Sequence, residues 1–237
     1  MTQSLHRRLI ELSQTFNRRF NLAYREKIYQ TSYLDLARRT EWLDYVPMAS
    51  PDGGTASFSL LYILLSILRD SPVSHLLEFG VGQTSRLLIQ YAQRFQKSLT
   101  LIEHDEYWLR DVVRCEQSVT ALHARLRQTI VAGKSIRWYD CERPSETFDF
   151  VLVDGPMAHS AADRYNRLGV MNWLPQLLQD EFILIVDDSA RAGESLLVEL
   201  AVSSFRSRGV AVLRKEFMGA TSQTIIVTPR LRKYLFL

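Results

Sequence analysis

Cysteine is nearly missing from this chain. Only Cys115 and Cys141 occur in 237 residues, which excludes a disulfide framework, and no CxxC pair or Cys/His cluster has zinc-binding spacing. Both read as ordinary thiols of a reducing compartment, so a cytoplasmic protein is the expectation. A secretory leader is also lacking: Arg7-Arg8-Leu9-Ile10 runs straight into Glu11, and no apolar h-region develops. Long hydrophobic runs are absent too. The longest, Phe58 to Leu68, is interrupted by Ser59 and Ser66 and is too short to span a bilayer, so it reads as a core helix. No large excess of one charge exists either, since the net charge is +3. That charge is uneven: residues 1–45 carry +3, residues 206–237 carry +6, and 46–205 carry −6. An acidic centre suits a cationic ligand. The basic ends read as solvated faces and not as a nucleic-acid footprint, because no aromatic-plus-basic motif accompanies them.

What is present is apolar. Hydrophobic residues make up 46% of the chain, enough for a sizeable core and too many for disorder. Leu5, Leu9, Leu12, Phe16, Phe20 and Ala23 recur at spacings of three and four, which predicts a helix over 3–29 with one apolar stripe. Packing of that stripe on the chain's own core is preferred, and a homodimer through this helix is the alternative. The turn signal Ser50-Pro51-Asp52-Gly53-Gly54 separates an N-terminal helical extension, 1–54, from a main domain, 55–237. Thr55 is placed to cap a helix over 56–69, and Thr84 or Ser85 to cap one over 85–96. Asp105 caps another, reaching Glu116 or continuing to Leu126. Further helices fall within 162–179 and over 193–207.

Strands are expected at 75–79, 99–103, 148–154, 182–187, 210–217 and 222–228, with 128–140 read either as two short strands around Gly133-Lys134 or as one sheet strand from its second half. Strands alternating with helices and closed by a hairpin predict an α/β fold. The expectation is a Rossmann-like three-layer α/β/α sandwich with a mostly parallel seven-stranded sheet and an antiparallel last strand.

Four of these strands end in acids: Glu78, Glu103, Asp154, and the pair Asp187-Asp188. Open parallel sheets bind ligands at the carboxyl edge of their strands, so these acids are expected to line one crevice. After the first strand comes Gly80-Val81-Gly82, then a helix start. Glycine there permits close approach of backbone to ligand, and the helix turns free N–H groups toward the crevice. The third position of a dinucleotide GxGxxG signature is Ser85, which counts against an NAD fold.

The run Glu78-Phe79-Gly80-Val81-Gly82-Gln83-Thr84-Ser85 resembles motif I of class I S-adenosylmethionine (SAM)-dependent methyltransferases, E-x-G-x-G-x-S-T, with the Ser-Thr order reversed. The resemblance covers roughly 55–228 and implies SAM as cofactor. It places Glu78, Gly80, Gly82, Thr84, Ser85, Glu103, His104 and Asp154 at the cofactor, with Glu103 on the ribose hydroxyls and Asp154 beside the methionine end. A carboxylate suits a vicinal diol because each oxygen accepts one hydroxyl. The order Trp138-Tyr139-Asp140, Val153-Asp154-Gly155-Pro156, Arg164-Tyr165 and Asp187-Asp188-x-x-Arg191-x-x-Glu194 is similar to a group of poorly characterised bacterial members. A more distant similarity, to macrocin-type O-methyltransferases, implies Mg²⁺ on Asp154, Asp187 and Asp188, where a metal would lower the pKa of a substrate hydroxyl. The other reading leaves Asp188 to cap the next helix or to pair with Arg191.

The activity implied is methyl transfer, with O-methylation of a small-molecule or sugar-containing acceptor first. No Asn/Asp-Pro-Pro-Tyr motif follows strand four, which weighs against methylation of base or glutamine nitrogens. Asp154, His159 and Asp187 are the catalytic candidates, His159 as general base because its ordinary pKa lies near neutral. Arg164 and Arg191 are read either as anion binders or as partners of the nearby acids. The rival readings are an aminopropyltransferase-like enzyme on the same scaffold and a non-catalytic assembly module.

Overall fold

The computed structural model describes residues 2–49, 56–112 and 119–237, with side chains from residue 20 onward. The turn at 50–54 and the cap at Thr55 lie outside them. The main sheet contains β1 (His75–Phe79), β2 (Ser98–Glu103), β3 (Val119–His123), β6 (Phe148–Val153), β7 (Leu178–Asp187), β8 (Leu213–Met218) and β9 (Ser222–Val227). Its order is β3-β2-β1-β6-β7-β9-β8. β9 alone is reversed, antiparallel to both β7 and β8, and the other neighbouring pairs run parallel. β4 (Leu126–Val131) and β5 (Lys134–Tyr139) form a separate antiparallel hairpin. The reading of 128–140 as two short strands around Gly133 holds, and the reading of its second half as a strand of the main sheet does not, because β4 and β5 pair only with each other. Its far edge is β3, in the segment where a continued helix was one expectation.

The central strands read as unbroken apolar runs because both sheet faces are covered. Successive side chains alternate between faces. Leu76, Leu99, Leu101, Phe150, Leu152, Ile183 and Ile185 pack under α2 (Phe58–Asp70) and α3 (Gln83–Phe95). Leu77, Phe79, Ile102, Val151, Val153, Leu184 and Val186 pack against α5 (Ala192–Ser207) and the β4–β5 hairpin. A three-layer sandwich follows. The helix expected within 162–179 is instead a short 3₁₀ turn, Asn166–Asn172. Gly169 and Pro175 disfavour a continuous α-helix there, and Gly169 lies flat against the Trp138 indole, where a Cβ would come within 2.0 Å of Cδ2.

α2 begins two residues later than a Thr55 cap would give: Ser57 is the N-cap, and its Oγ accepts from Leu60 N. α3 begins at Gln83 with Gly82 as N-cap, ahead of both predicted caps. Asp105 does cap α4 (Glu106–Val112), accepting from Tyr107 N at 2.9 Å.

The N-terminal helix, α1 (Thr2–Arg38), is longer than the stripe predicts. Of the stripe, Phe20 and Ala23 are exposed, so these two do not pack on the core, and the others precede the described side chains. The buried face is a different one. Tyr33 and Ala37 sit in the same core as the sheet, and the Tyr33 hydroxyl donates to Pro47 O at 2.7 Å. Glu26 on this face accepts from Phe58 N and from Ala220 N at 2.8 Å, tying α1 to α2 and to the β8–β9 turn. The extension is thus built into the wall beside the sheet's carboxyl edge. Among the described residues, no helix is long and apolar enough to cross a membrane.

One packing contact gives a direct stability test. A Cβ on Gly193, in the first turn of α5, would lie 1.7 Å from the Arg164 carbonyl oxygen. Backbone cannot yield as a side-chain tip does, so Gly193→Ala is expected to destabilise the fold by about 1–3 kcal/mol. Urea unfolding of the variant measures this, and an unchanged midpoint would contradict the contact.

Candidate functional site

The loops after β1, β2, β6 and β7 surround one crevice enclosing about 910 Å³ of atom-free space, part of it continuous with solvent. It lies over the β1/β6 boundary, where the strand order reverses direction, and such a switch point is where open α/β sheets take ligands.

The two glycines of the first turn do different work. Gly80 has φ +90°, and a Cβ on it would meet Gly155 N at 2.8 Å. Gly155 is equally confined: a Cβ there would lie 2.5 Å from the Tyr139 hydroxyl and 2.6 Å from Gly80 Cα. The β1 and β6 loops therefore pack backbone to backbone, and the fold itself requires both glycines. Gly82 is under no such demand. Its φ of −172° is open to any residue, a Cβ would meet nothing within 4 Å, and the position lines the crevice. The missing side chain at 82 leaves room in the crevice.

Glu78 and Ser85 lie behind this turn and do not reach the crevice wall. The Gly82 N–H donates to Ser85 Oγ at 3.0 Å, and Ser85 and Thr84 both hydrogen-bond the fully buried Glu78 carboxyl. These residues brace the start of α3; only Thr84 also faces the crevice. Burial pushes the Glu78 carboxyl up to about 8, against the pull of those hydrogen bonds. The folded state therefore holds a proton that the unfolded chain has released. Stability from this group is full below about 4.5 and is lost as pH rises toward 8. Asp154 and Asp187, also raised by burial, act in the same direction. Thermal melts of the ligand-free protein are expected to fall between pH 5.5 and 8.5, by an amount on the order of a few kcal/mol. Glu78→Gln flattens that slope; an equal slope in the variant would place its origin elsewhere.

Glu103, at the end of β2, is 4% exposed and lines the crevice. Its Oε1 accepts from His104 N at 2.6 Å and Asp105 N at 2.7 Å, and its Oε2 accepts from Val81 N at 2.8 Å. The His104 ring stands 2.6 Å from Oε1. Burial opposes ionisation, but His104 and the backbone N–H groups outweigh it and hold the carboxyl below its ordinary range. The Glu103 hydrogen bond in turn raises His104. An anion is thus fixed in orientation, with one acceptor site on Oε2 still free.

At the opposite end the structure brings Asp154, Asp187 and Asp188 together, with one oxygen of each within 4.8 Å of the others. Asp188 turns the chain between β7 and α5 in a left-handed conformation, φ +57°. Among these acids reaches Arg167, a residue that no motif singled out. It is 3% exposed, with Nη2 at 3.1 Å from Asp154 Oδ1 and Nη1 at 3.4 Å from Asp188 Oδ2. Its Nε is 3.6 Å from the buried Glu194 carboxylate. Arg191 also pairs with Asp188, at 2.7 Å. A guanidinium already lies against one oxygen of Asp154 and one of Asp188, so a divalent cation here would stand beside a fixed positive charge. Gln223, fully buried on β9 between Ser222 and Thr224, carries no motif signal; it donates to Asp187 Oδ1 at 2.9 Å. His159 stands at the open rim of the crevice, where partial desolvation and the Arg191 charge lower its pKa. Arg164 is not brought there and stacks on the Tyr165 ring at 5.4 Å.

No protein-family model matches the chain, and no curated protein does. Among solved structures it is similar to a methyltransferase from Pyrococcus furiosus, at 16% identity over 84% of this chain and 96% of that one, TM-score 0.49. It is also similar to the plantazolicin methyltransferase BpumL, solved with a pentazolic desmethylPZN analog and SAH, at 9% identity over 86% of this chain and 99% of that one, TM-score 0.48.

Proposed function

We propose that the crevice binds SAM and that the protein transfers its methyl group to a hydroxyl of a small-molecule or sugar-containing acceptor. The observation that carries this reading is the Glu103 carboxylate, ionised and oriented beside the bare Gly82 turn at the sheet's switch point. When bound, SAM supplies an electrophilic methyl on a sulfonium. Glu103 Oε2 would accept a ribose hydroxyl, and His104 and Trp108 border the same end of the crevice. The first-turn N–H groups of α3 would face polar atoms of a bound ligand. The acidic end favours a cation electrostatically, as the −6 of the middle segment does overall. An acceptor hydroxyl at that end meets two bases. His159 has its pKa lowered by partial desolvation and by Arg191, which favours the neutral, proton-accepting form. Asp187 is raised to about 7 by burial, where a general base works best. Positioning supplies most of the remainder.

Glu103 also ties three backbone N–H groups, so its replacement would disturb the turn as well as the ligand. The cleaner test alters the ligand. S-adenosylhomocysteine lacking the ribose 2′- or 3′-hydroxyl is expected to bind wild type roughly tenfold or more weakly, as loss of a hydrogen bond to a charged group implies. Calorimetric titration measures this. Equal affinity for the deoxy and parent ligands would reduce Glu103 to a brace.

A further inference from the structure

We propose that Arg167 is the permanent cation of the strand-end acids, that it holds them in place of a divalent metal, and that its removal opens a cation site. Three carboxylates within 4.8 Å would otherwise suit a hard cation, which needs several oxygens at close range. Here one oxygen of each acid is already held by an organic donor, and a guanidinium charge stands against two of them. Asp154 Oδ1 meets Arg167 Nη2, Asp187 Oδ1 meets Gln223 Nε2, and Asp188 Oδ2 meets both Arg167 and Arg191. The guanidinium also donates to three backbone carbonyls: Nη1 to Asp187 O at 3.2 Å, Nε to Pro156 O at 3.3 Å, and Nη2 to Asp154 O. One planar fork thus spans the ends of β6 and β7 and the loop between them, and Glu194 closes it from α5.

Geometry makes this more than a buried ion pair. A guanidinium is always charged and carries its donors in a fixed plane, so it orients several acids at once. A dication among these oxygens would stand beside an existing positive charge with no path for that charge to leave. Arg167 is therefore a positioning residue for Asp154 and Asp188, and the acids keep their arrangement without exchangeable metal. This deepens the reading of the crevice given above, but its test reads cation binding and stands even if the ligand is not SAM.

The experiment titrates Mn²⁺, followed by electron paramagnetic resonance, into wild type, Arg167→Ala and Arg167→Ala/Asp154→Asn. Wild type is expected to bind no Mn²⁺ tighter than about 1 mM, the weak end of protein oxygen sites. Arg167→Ala is expected to bind at least tenfold more tightly, to lose that gain with Asp154→Asn, and to release the metal to methylguanidinium, which refills the vacated place. A purely structural arginine would give no such competition. Two results overturn the proposal: Mn²⁺ binding to wild type in the micromolar range that Asp187→Asn abolishes, or a folded Arg167→Ala that binds no cation. If Arg167→Ala does not fold, wild type decides. An unchanged melting temperature between EDTA and excess Mg²⁺ supports the proposal, and a rise with Mg²⁺ overturns it.

Discussion

Gly82→Arg is expected to lose S-adenosylhomocysteine binding by a hundredfold or more while melting at the wild-type temperature, and Gly80→Ala is expected to fail at folding. The two glycines sit two residues apart and look equivalent in sequence. Gly80 has φ +90° with Gly155 backbone 2.8 Å from where a Cβ would lie, so alanine adds both strain and a clash that only backbone movement relieves. Gly82 has ordinary extended backbone and open space at its Cβ, and that space is the crevice. An arginine there fills the ligand's room without touching the core. Calorimetry for binding and thermal melting for stability separate the two cases. A stable Gly80→Ala, or a Gly82→Arg that binds normally, would contradict this division of labour.

The second large effect is on stability. Arg167→Met removes the one cation that is 3% exposed and faces Asp154, Asp188 and Glu194. The methionine fits the volume but leaves buried carboxylates without their partner. Breaking a buried pair from one side costs about 3–5 kcal/mol. For a chain of this length, each kcal/mol lowers the melting temperature by roughly 2–4 °C. The loss is expected to shrink at low pH, because protonated acids need no partner. Urea unfolding at pH 5 and pH 8 measures both. A loss below about 1 kcal/mol at pH 8 would mean that Arg191 alone holds the acids.

The parts legible in the sequence were those written in one short segment. β1, β2 and β6 fall within one residue of their expected spans, because buried parallel strands are largely apolar runs, and β9 does so because the Met218–Thr221 turn marks its start. The strand-end acids follow from those spans, and with them the location of the crevice. What the sequence hid depends on distant contacts. β3 has mostly exposed or half-exposed residues and no apolar run, so the capped helix before it masked it. The 3₁₀ turn at 166–172 depends on Gly169 meeting Trp138. The face of α1 that packs carries Glu26, Tyr33 and Ala37, a weaker apolar pattern in sequence than the stripe that includes the exposed Phe20 and Ala23. Arg167 was hidden because a lone arginine reads as surface until three loop ends close around it; its one signal was the apolar run Leu168-Gly169-Val170 that follows.

The most direct measurement is calorimetric titration of the wild-type protein with S-adenosylhomocysteine in EDTA, beside NAD⁺ and ATP as other adenosine ligands. Micromolar binding of S-adenosylhomocysteine alone is expected, unaffected by the chelator. No binding by well-folded protein, or equal binding of all three, would contradict it.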